Sequence, residues 1–326
     1  MKRIITIFAL SSLMVTQMFG QPNVSFKFRS TAPDNTLRRM EQNAKAVFEE
    51  INNASRDNRK PQFSTANMTS DGIDHTLKLW NISKFRCVEP AYIENVSTNS
   101  YGGYQVRNIA TFFTDANKSQ DLVIDFNRAG EVSNISIAIS KTQYNAIMKT
   151  GEVVKDERER WIILNFVENF RTAYERQDLD YIKTVFNDDA LIITGTKLIV
   201  KTGDGKYASR TKYTTQNKEQ YINKLRTAIM AKDKYGNKLN KLTIEFERIS
   251  IIKSEKDGDD KLYLVRLWQN WDSKGKNNFH DEGWLTLVID LSKEGEPIIW
   301  VRAWQGANQE NKLYNFGCFY NPSSCE

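Results

Sequence analysis

His280-Asp281-Glu282 is the run in this chain where an imidazole and two carboxylates come closest in sequence. A histidine beside a carboxylate is the usual raw material of general acid–base catalysis. The run opens a β-rich stretch, and adjacent strand residues point to opposite faces. His280 and Glu282 therefore share one face and Asp281 takes the other, so the sequence predicts a solvated strand end. His75 beside Asp74 is a weaker copy of the same pairing. The chain has 2 histidines, which excludes a histidine-rich metal site, and its 3 cysteines lack zinc spacing. No serine or cysteine stands in a recognisable nucleophile motif, and there is no P-loop or GxGxxG. No catalytic residue, metal or cofactor is assigned.

The last strands carry the stronger pattern. Val265 and Leu267 alternate with Arg266, Trp268 and Asn270. Leu285, Leu287 and Ile289 alternate with Glu282, Trp284, Thr286 and Val288. Ile299, Val301 and Ala303 alternate with Trp300, Arg302 and Trp304. The aliphatic set predicts the helix-packed core, and the other set then shares the opposite face. That face would hold Trp268, Trp284, Trp300 and Trp304 with Arg266, Arg302 and Glu282, provided that no β-bulge breaks the register.

These strands close a long order of elements. Lys2 and Arg3 precede a largely apolar run from Ile4 to Met18, and Gly20 stands before the polar sequence that begins at Gln21. This is the layout of a signal peptide over residues 1–20, predicting export to a periplasmic or extracellular space. Residues 21–34 are expected to be a flexible lead-in. A helix is predicted from Asn35 to Asn52, followed by strand-like runs from His75 to Val88, Ala91 to Ser97, Tyr104 to Phe113, Leu122 to Phe126 and Val132 to Ile139. A short helix near Gln143–Met148 closes the first domain, 35–150. The second, 151–309, is predicted to have helices at Lys155–Arg176, Leu179–Phe186 and Lys218–Ala231. Between them lie a strand at Ala190–Thr194 and a polar excursion at Gly195–Thr215. Four long strands end it. Residues 310–326 form a tail, in which the turn Asn321-Pro322-Ser323 favours a Cys318–Cys325 disulfide. Cys87 is then a small buried hydrophobe.

With 326 residues, 40% hydrophobic and 11% aromatic, the chain can build two cores. Its net charge is +6, without a dense basic block, so nucleic acid is not an expected partner. After Met18 no stretch is apolar enough to span a bilayer. Asn-x-Ser/Thr tripeptides begin at Asn23, Asn53, Asn67, Asn81, Asn95, Asn117 and Asn134. In a chain this rich in asparagine they are expected by chance. Leu122-Val-Ile-Asp125 recurs as Leu287-Val-Ile-Asp290, and Gly130-Glu131 as Gly295-Glu296, both at an offset of 165 (287 − 122 and 295 − 130). A fixed offset across two strands and their turn points to tandem domains.

Phe170-Arg-Thr-Ala-Tyr174, Asp178-Leu-Asp180 and Phe186-Asn-Asp-Asp-Ala190 resemble the opening signature of the NTF2-like, or SnoaL-like, superfamily. The resemblance covers about residues 155–309. It implies an α+β fold of tandem NTF2-like domains, each a curved antiparallel sheet wrapped as a cone around a long helix. It says little about function, because the fold hosts isomerases, dehydratases, transport factors and assembly domains. Asp188 and Asp189 match turn positions of the motif and are expected to be structural.

Three readings of the Trp/Arg set stand open. It packs on the other domain or on a second copy of the chain; it stacks on a glycan or another flat ligand; or, in the inverse register, it lines the cone. In the last case Arg266 or Arg302 would recognise an anionic small molecule, with Tyr174 facing it from the helix. The leading expectation is an exported, non-catalytic binding or assembly protein using the sheet face. The alternative is a small-molecule lyase or isomerase acting in the second cone.

Overall fold

The computed structural model describes residues 23–30, 32–98, 102–150, 154–201, 203, 206–256, 261–292 and 297–320. The expected signal peptide and Cys325 lie outside these. The chain divides into two compact units, Met1–Ala138 and Ile139–Glu326.

The first unit opens with strand β1 (Ser25–Arg29), then helices α1 (Asp34–Arg56) and α2 (Ser70–Ile82), and strands β2 (Phe85–Cys87), β3 (Ala91–Thr98), β4 (Tyr104–Phe113), β5 (Lys118–Phe126) and β6 (Val132–Ile137). They form one sheet in the order β1-β3-β4-β5-β6, with β2 on β4. Met40, Ala44, Val47, Phe48 and Ile51 make the buried stripe of α1, at the 3.6-residue spacing that predicted it.

Two expectations are corrected here. Residues 25–29 are not a lead-in: Val24, Phe26 and Phe28 alternate into the core, and β1 pairs in parallel with β3. The run after His75 is a helix, not a strand, until Ile82. Thr69 starts it, its hydroxyl accepting the Gly72 N–H at 3.1 Å, and Thr76, Leu79 and Trp80 fall on one buried face. Thr69→Ala is expected to destabilise the first unit by about 1 kcal/mol, read from its melting curve. A strand also precedes the helices, where the residue pattern opens this domain with a helix.

The second unit begins earlier than residue 151. Helix α3 (Lys141–Thr150) belongs to it, because Tyr144, Ile147 and Met148 pack on its core and Ile139 N donates to Glu168 Oε1 at 2.8 Å. Next come α4 (Glu157–Arg176), α5 (Leu179–Thr184), β7 (Phe186–Lys201), β8 (Tyr207–Gln216) and α6 (Lys218–Lys224), which runs on as a π-helical turn at Leu225–Ile229. Strands β9 (Asn240–Lys253), β10 (Leu262–Gly275), β11 (Phe279–Asp290) and β12 (Ile298–Gly306) follow, then a 3-10 turn (Ala307–Lys312) and α7 (Phe316–Tyr320). The sheet order is β8-β7-β12-β11-β10-β9, with only β7–β12 parallel.

Helix α4 is capped by Asp156, whose carboxylate accepts the Arg158 and Glu159 N–H groups. Asp178 caps α5 through the Tyr181 N–H, as its position predicts. Ile163, Phe166, Val167, Phe170 and Tyr174 of α4 enter the core with the inner faces of β9–β12. At the sheet edge, the Ile244 N–H donates to Glu175 and the Ile244 carbonyl accepts from Arg171, so α4 side chains satisfy an edge-strand peptide. The polar excursion expected at Gly195–Thr215 is instead a hairpin: β7 and β8 pair from Ile192↔Gln216 to Lys201↔Tyr207. Ladder hydrogen bonds rather than burial hold it, which is why it lacks an apolar period. The Leu-Val-Ile-Asp repeats fall in β5 and β11, each between two antiparallel neighbours, with Leu122, Ile124, Leu287 and Ile289 all buried in their cores.

Candidate functional site

Strands β10 and β11 run as the sequence predicts. Tyr263, Val265, Leu267 and Trp271 face the core, and Trp268↔Trp284 and Asn270↔Glu282 are opposed on the outer face. The register of β12 breaks between Ile299 and Val301. Ile299 remains in the core opposite Ile289, and Trp300 occupies the irregular position at 39% exposure, its Nε1 donating to Asp290 at 3.4 Å. Beyond it every residue has changed face. Val301 and Ala303 join Leu264 and Val288 in a small outer cluster, while Arg302 pairs with Leu287 and Trp304 with Leu285 on the inner side. The expected single face of four tryptophans and two arginines is therefore split. A one-residue slip exchanges the two faces of a strand, and the bulge supplies it.

Arg302 and Trp304 line a cavity of about 510 Å³ in the second unit. Its walls are Tyr221, Lys224, Leu225, Ala228 and Ile229 from α6 and the π-turn, and Gln269, Trp271, Phe279 and Asp281 from β10 and β11. The π-turn contributes Leu225 and Ile229 to the lining; such turns recur at functional sites.

Two glycines seat Trp304. A β-carbon on Gly195 would lie 2.1 Å from its ring, and one on Gly283 would lie 2.9 Å away. Arg302 is 4% exposed, stacks over the Tyr221 ring at 5.2 Å, and its Nε has no hydrogen-bond partner. Burial opposes its charge, but the Tyr221 and Tyr174 oxygens and the Asp281 carboxylate more than offset that and raise its pKa. The Tyr174 and Tyr221 hydroxyls are 2.6 Å apart. Burial pushes Tyr174 well above the ordinary phenol value, so it stays neutral. Tyr174 is thus hydrogen-bonded to both Tyr221 and Arg302.

The remaining predicted residues lie on the outer face. Trp268 and Trp284 pack edge to face at 5.4 Å beneath Arg248. Arg266 does not reach the cone: its Nε and Nη2 donate to the Tyr314 carbonyl at 3.0 and 2.6 Å. Gln305 brackets the same segment, donating to Lys312 O and accepting from Tyr314 N. Tyr314, Phe316 and Phe319 then pack on the outer apolar cluster, so the chain's own tail occupies that part of the face. His280 Nδ1 is 2.9 Å from Asp272, and its Nε2 is 4.0 Å from Glu282. Asp281 points the other way and is the one carboxylate among the lining residues. Cys318 is disulfide-bonded. Cys87 is free and buried, its thiol pushed up to about 12 by burial.

Trp271 and Gln269 are cavity residues that the sequence reading passed over, and Asp281 is one that it set on the face opposite His280 without giving it a place in a site. The signal was present: Trp271 and Gln269 continue the inward alternation of Tyr263, Val265 and Leu267, and Asp281 that of Leu285 and Leu287.

No family model matches the chain, and no curated protein matches it. Among solved structures it is similar to the beta subunit of benzoate 1,2-dioxygenase from Burkholderia mallei, at 15% identity and a TM-score of 0.31, over 47% of this chain and 93% of that one. It is similar to ActVI-ORFA from Streptomyces coelicolor at 8% identity and a TM-score of 0.29, over 44% and 94%. It is also similar to a protein provisionally described as a ketosteroid isomerase from Shewanella frigidimarina, at 17% identity and a TM-score of 0.29, over 44% and 94%. These neighbours are NTF2-like or SnoaL-like proteins, each matched over about half of this chain. At such scores they carry no argument about this site, which rests on its own geometry.

Proposed function

We propose that this chain is a small-molecule-binding protein whose ligand occupies the cone of the second unit. One observation carries the reading: a cavity of about 510 Å³, walled by aromatic and aliphatic side chains, holds a buried guanidinium whose Nε lacks a partner. Volume and lining suit a drug-sized molecule. The reading includes two NTF2-like units in tandem, supported by the repeated Leu-Val-Ile-Asp strands, and export, supported by the charged and apolar start of the chain.

A second reading is a lyase or isomerase, favoured by Asp281 as a carboxylate lining the cone. Binding without turnover separates it from the first. The neutral fluorophore N-phenyl-1-naphthylamine tests the cone itself. Its emission is expected to rise on the wild-type protein. The response is expected to fall at least tenfold in Ala228→Trp, where a large ring fills the wall. An equal response in the two proteins would sink the cone reading.

A further inference from the structure

The polar atoms that the cone leaves without partners are alike. Arg302 Nε, Trp271 Nε1 and Trp304 Nε1 are sealed from water and unbonded, and all three are donors. Their residues are 4%, 5% and 2% exposed. A buried donor without an acceptor costs on the order of 1–3 kcal/mol, and native proteins rarely tolerate one. Three on residues of one cavity point to an acceptor supplied from outside. The charge agrees. The formal charges of Lys224 and Arg302 against Asp281 leave 2 − 1 = +1 on the lining, histidine not counted.

We infer that the cone takes an aromatic monocarboxylate, an inference that rests on the cone reading above. The rings of Trp271, Phe279 and Trp304 with Leu225 and Ile229 supply an aromatic and aliphatic enclosure for the body of such a molecule. Arg302 meets its carboxylate. The guanidinium lies with its Cζ 5.2 Å from the Tyr221 ring centroid and is hydrogen-bonded to Tyr174, which leaves the unpartnered Nε–H for a carboxylate oxygen. The Gly195 and Gly283 seat fixes the Trp304 ring in the cavity wall, and its indole N–H has no partner within the protein. The Tyr174–Tyr221 hydroxyl pair stands beside the arginine, and Asp281 is the one carboxylate of the lining that acts on its charge.

The test compares 2-naphthoate with its neutral isostere 2-naphthamide by quenching of tryptophan emission on the full chain. The acid is expected to bind at least tenfold more tightly than the amide. Arg302→Gln is expected to bring that ratio to about one, and Arg302→Lys to retain part of it. Equal or tighter binding of the amide to the wild-type protein overturns the inference without calling on any variant. So does failure of both probes while N-phenyl-1-naphthylamine still binds. Loss of sensitivity of that neutral fluorophore to Ala228→Trp removes the cone reading itself.

Discussion

Gly195→Ala is expected to lower the melting temperature of the second unit and to abolish binding in the cone. The added β-carbon would stand 2.1 Å from Cζ3 and 2.3 Å from Cε3 of Trp304. Those atoms belong to a rigid ring that is 2% exposed, so the ring must move into the cavity or the strand must shift. Overpacking of this kind costs about 1–3 kcal/mol, equivalent to roughly 2–10 °C in a unit of this size. Gly203→Ala is the control, since nothing lies within 4 Å of its added carbon. Calorimetry with fluorophore titration reads both effects. Equal melting of the two variants would show that Trp304 is not seated on Gly195.

Arg302→Met is expected to act oppositely on stability and on binding. The guanidinium is buried, has an unpartnered Nε and is backed by phenols. Replacing such a group by an apolar side chain of similar length is often neutral or stabilising, because the cost of desolvating the charge disappears. The variant is expected to melt at or above the wild-type temperature, by up to about 1 kcal/mol, and to lose at least tenfold in affinity for 2-naphthoate. A gain in stability with a loss of ligand is the mark of a residue kept for binding. A fall of about 3 kcal/mol would instead assign Arg302 to the structural framework.

How much of this was readable from the residues alone depends on the range of the interaction that decides each feature. Helix α4 announces itself by local signals: the Ile163–Phe166–Val167–Phe170 stripe and the Asp178 that starts the next helix. The faces of β10 and β11 follow from strict alternation, and with them the outer pairing of Trp268 and Trp284. Val24, Phe26 and Phe28 carry the same alternation for β1, and Thr69 carries the start of α2. Both signals are local and were passed over.

The bulge in β12 is of another kind. Ile298 to Ala303 holds no glycine or proline to mark it. It shows against both neighbours: Ile299 and Val301 pair with the adjacent Ile289 and Val288 of β11, and with Phe186 and Leu191 of β7, so Asn187–Ala190 loop out of the ladder beside it. The β7 partners lie more than a hundred positions away in sequence, and the β11 partners in the neighbouring strand. The bulge decides whether Arg302 and Trp304 face the cavity or the outer side.

The indole N–H signals of the chain's 7 tryptophans offer the most direct test of that assignment. In a protein labelled with 15N-tryptophan, with each signal assigned by single substitution, 2-naphthoate is added to saturation. The Trp271 and Trp304 signals are expected to move together. Trp268 and Trp284, on the outer face, and Trp300, exposed at the bulge, are expected to stay in place. Movement of Trp268 and Trp284 with Trp271 and Trp304 unmoved would put the ligand on the outer face and contradict the account.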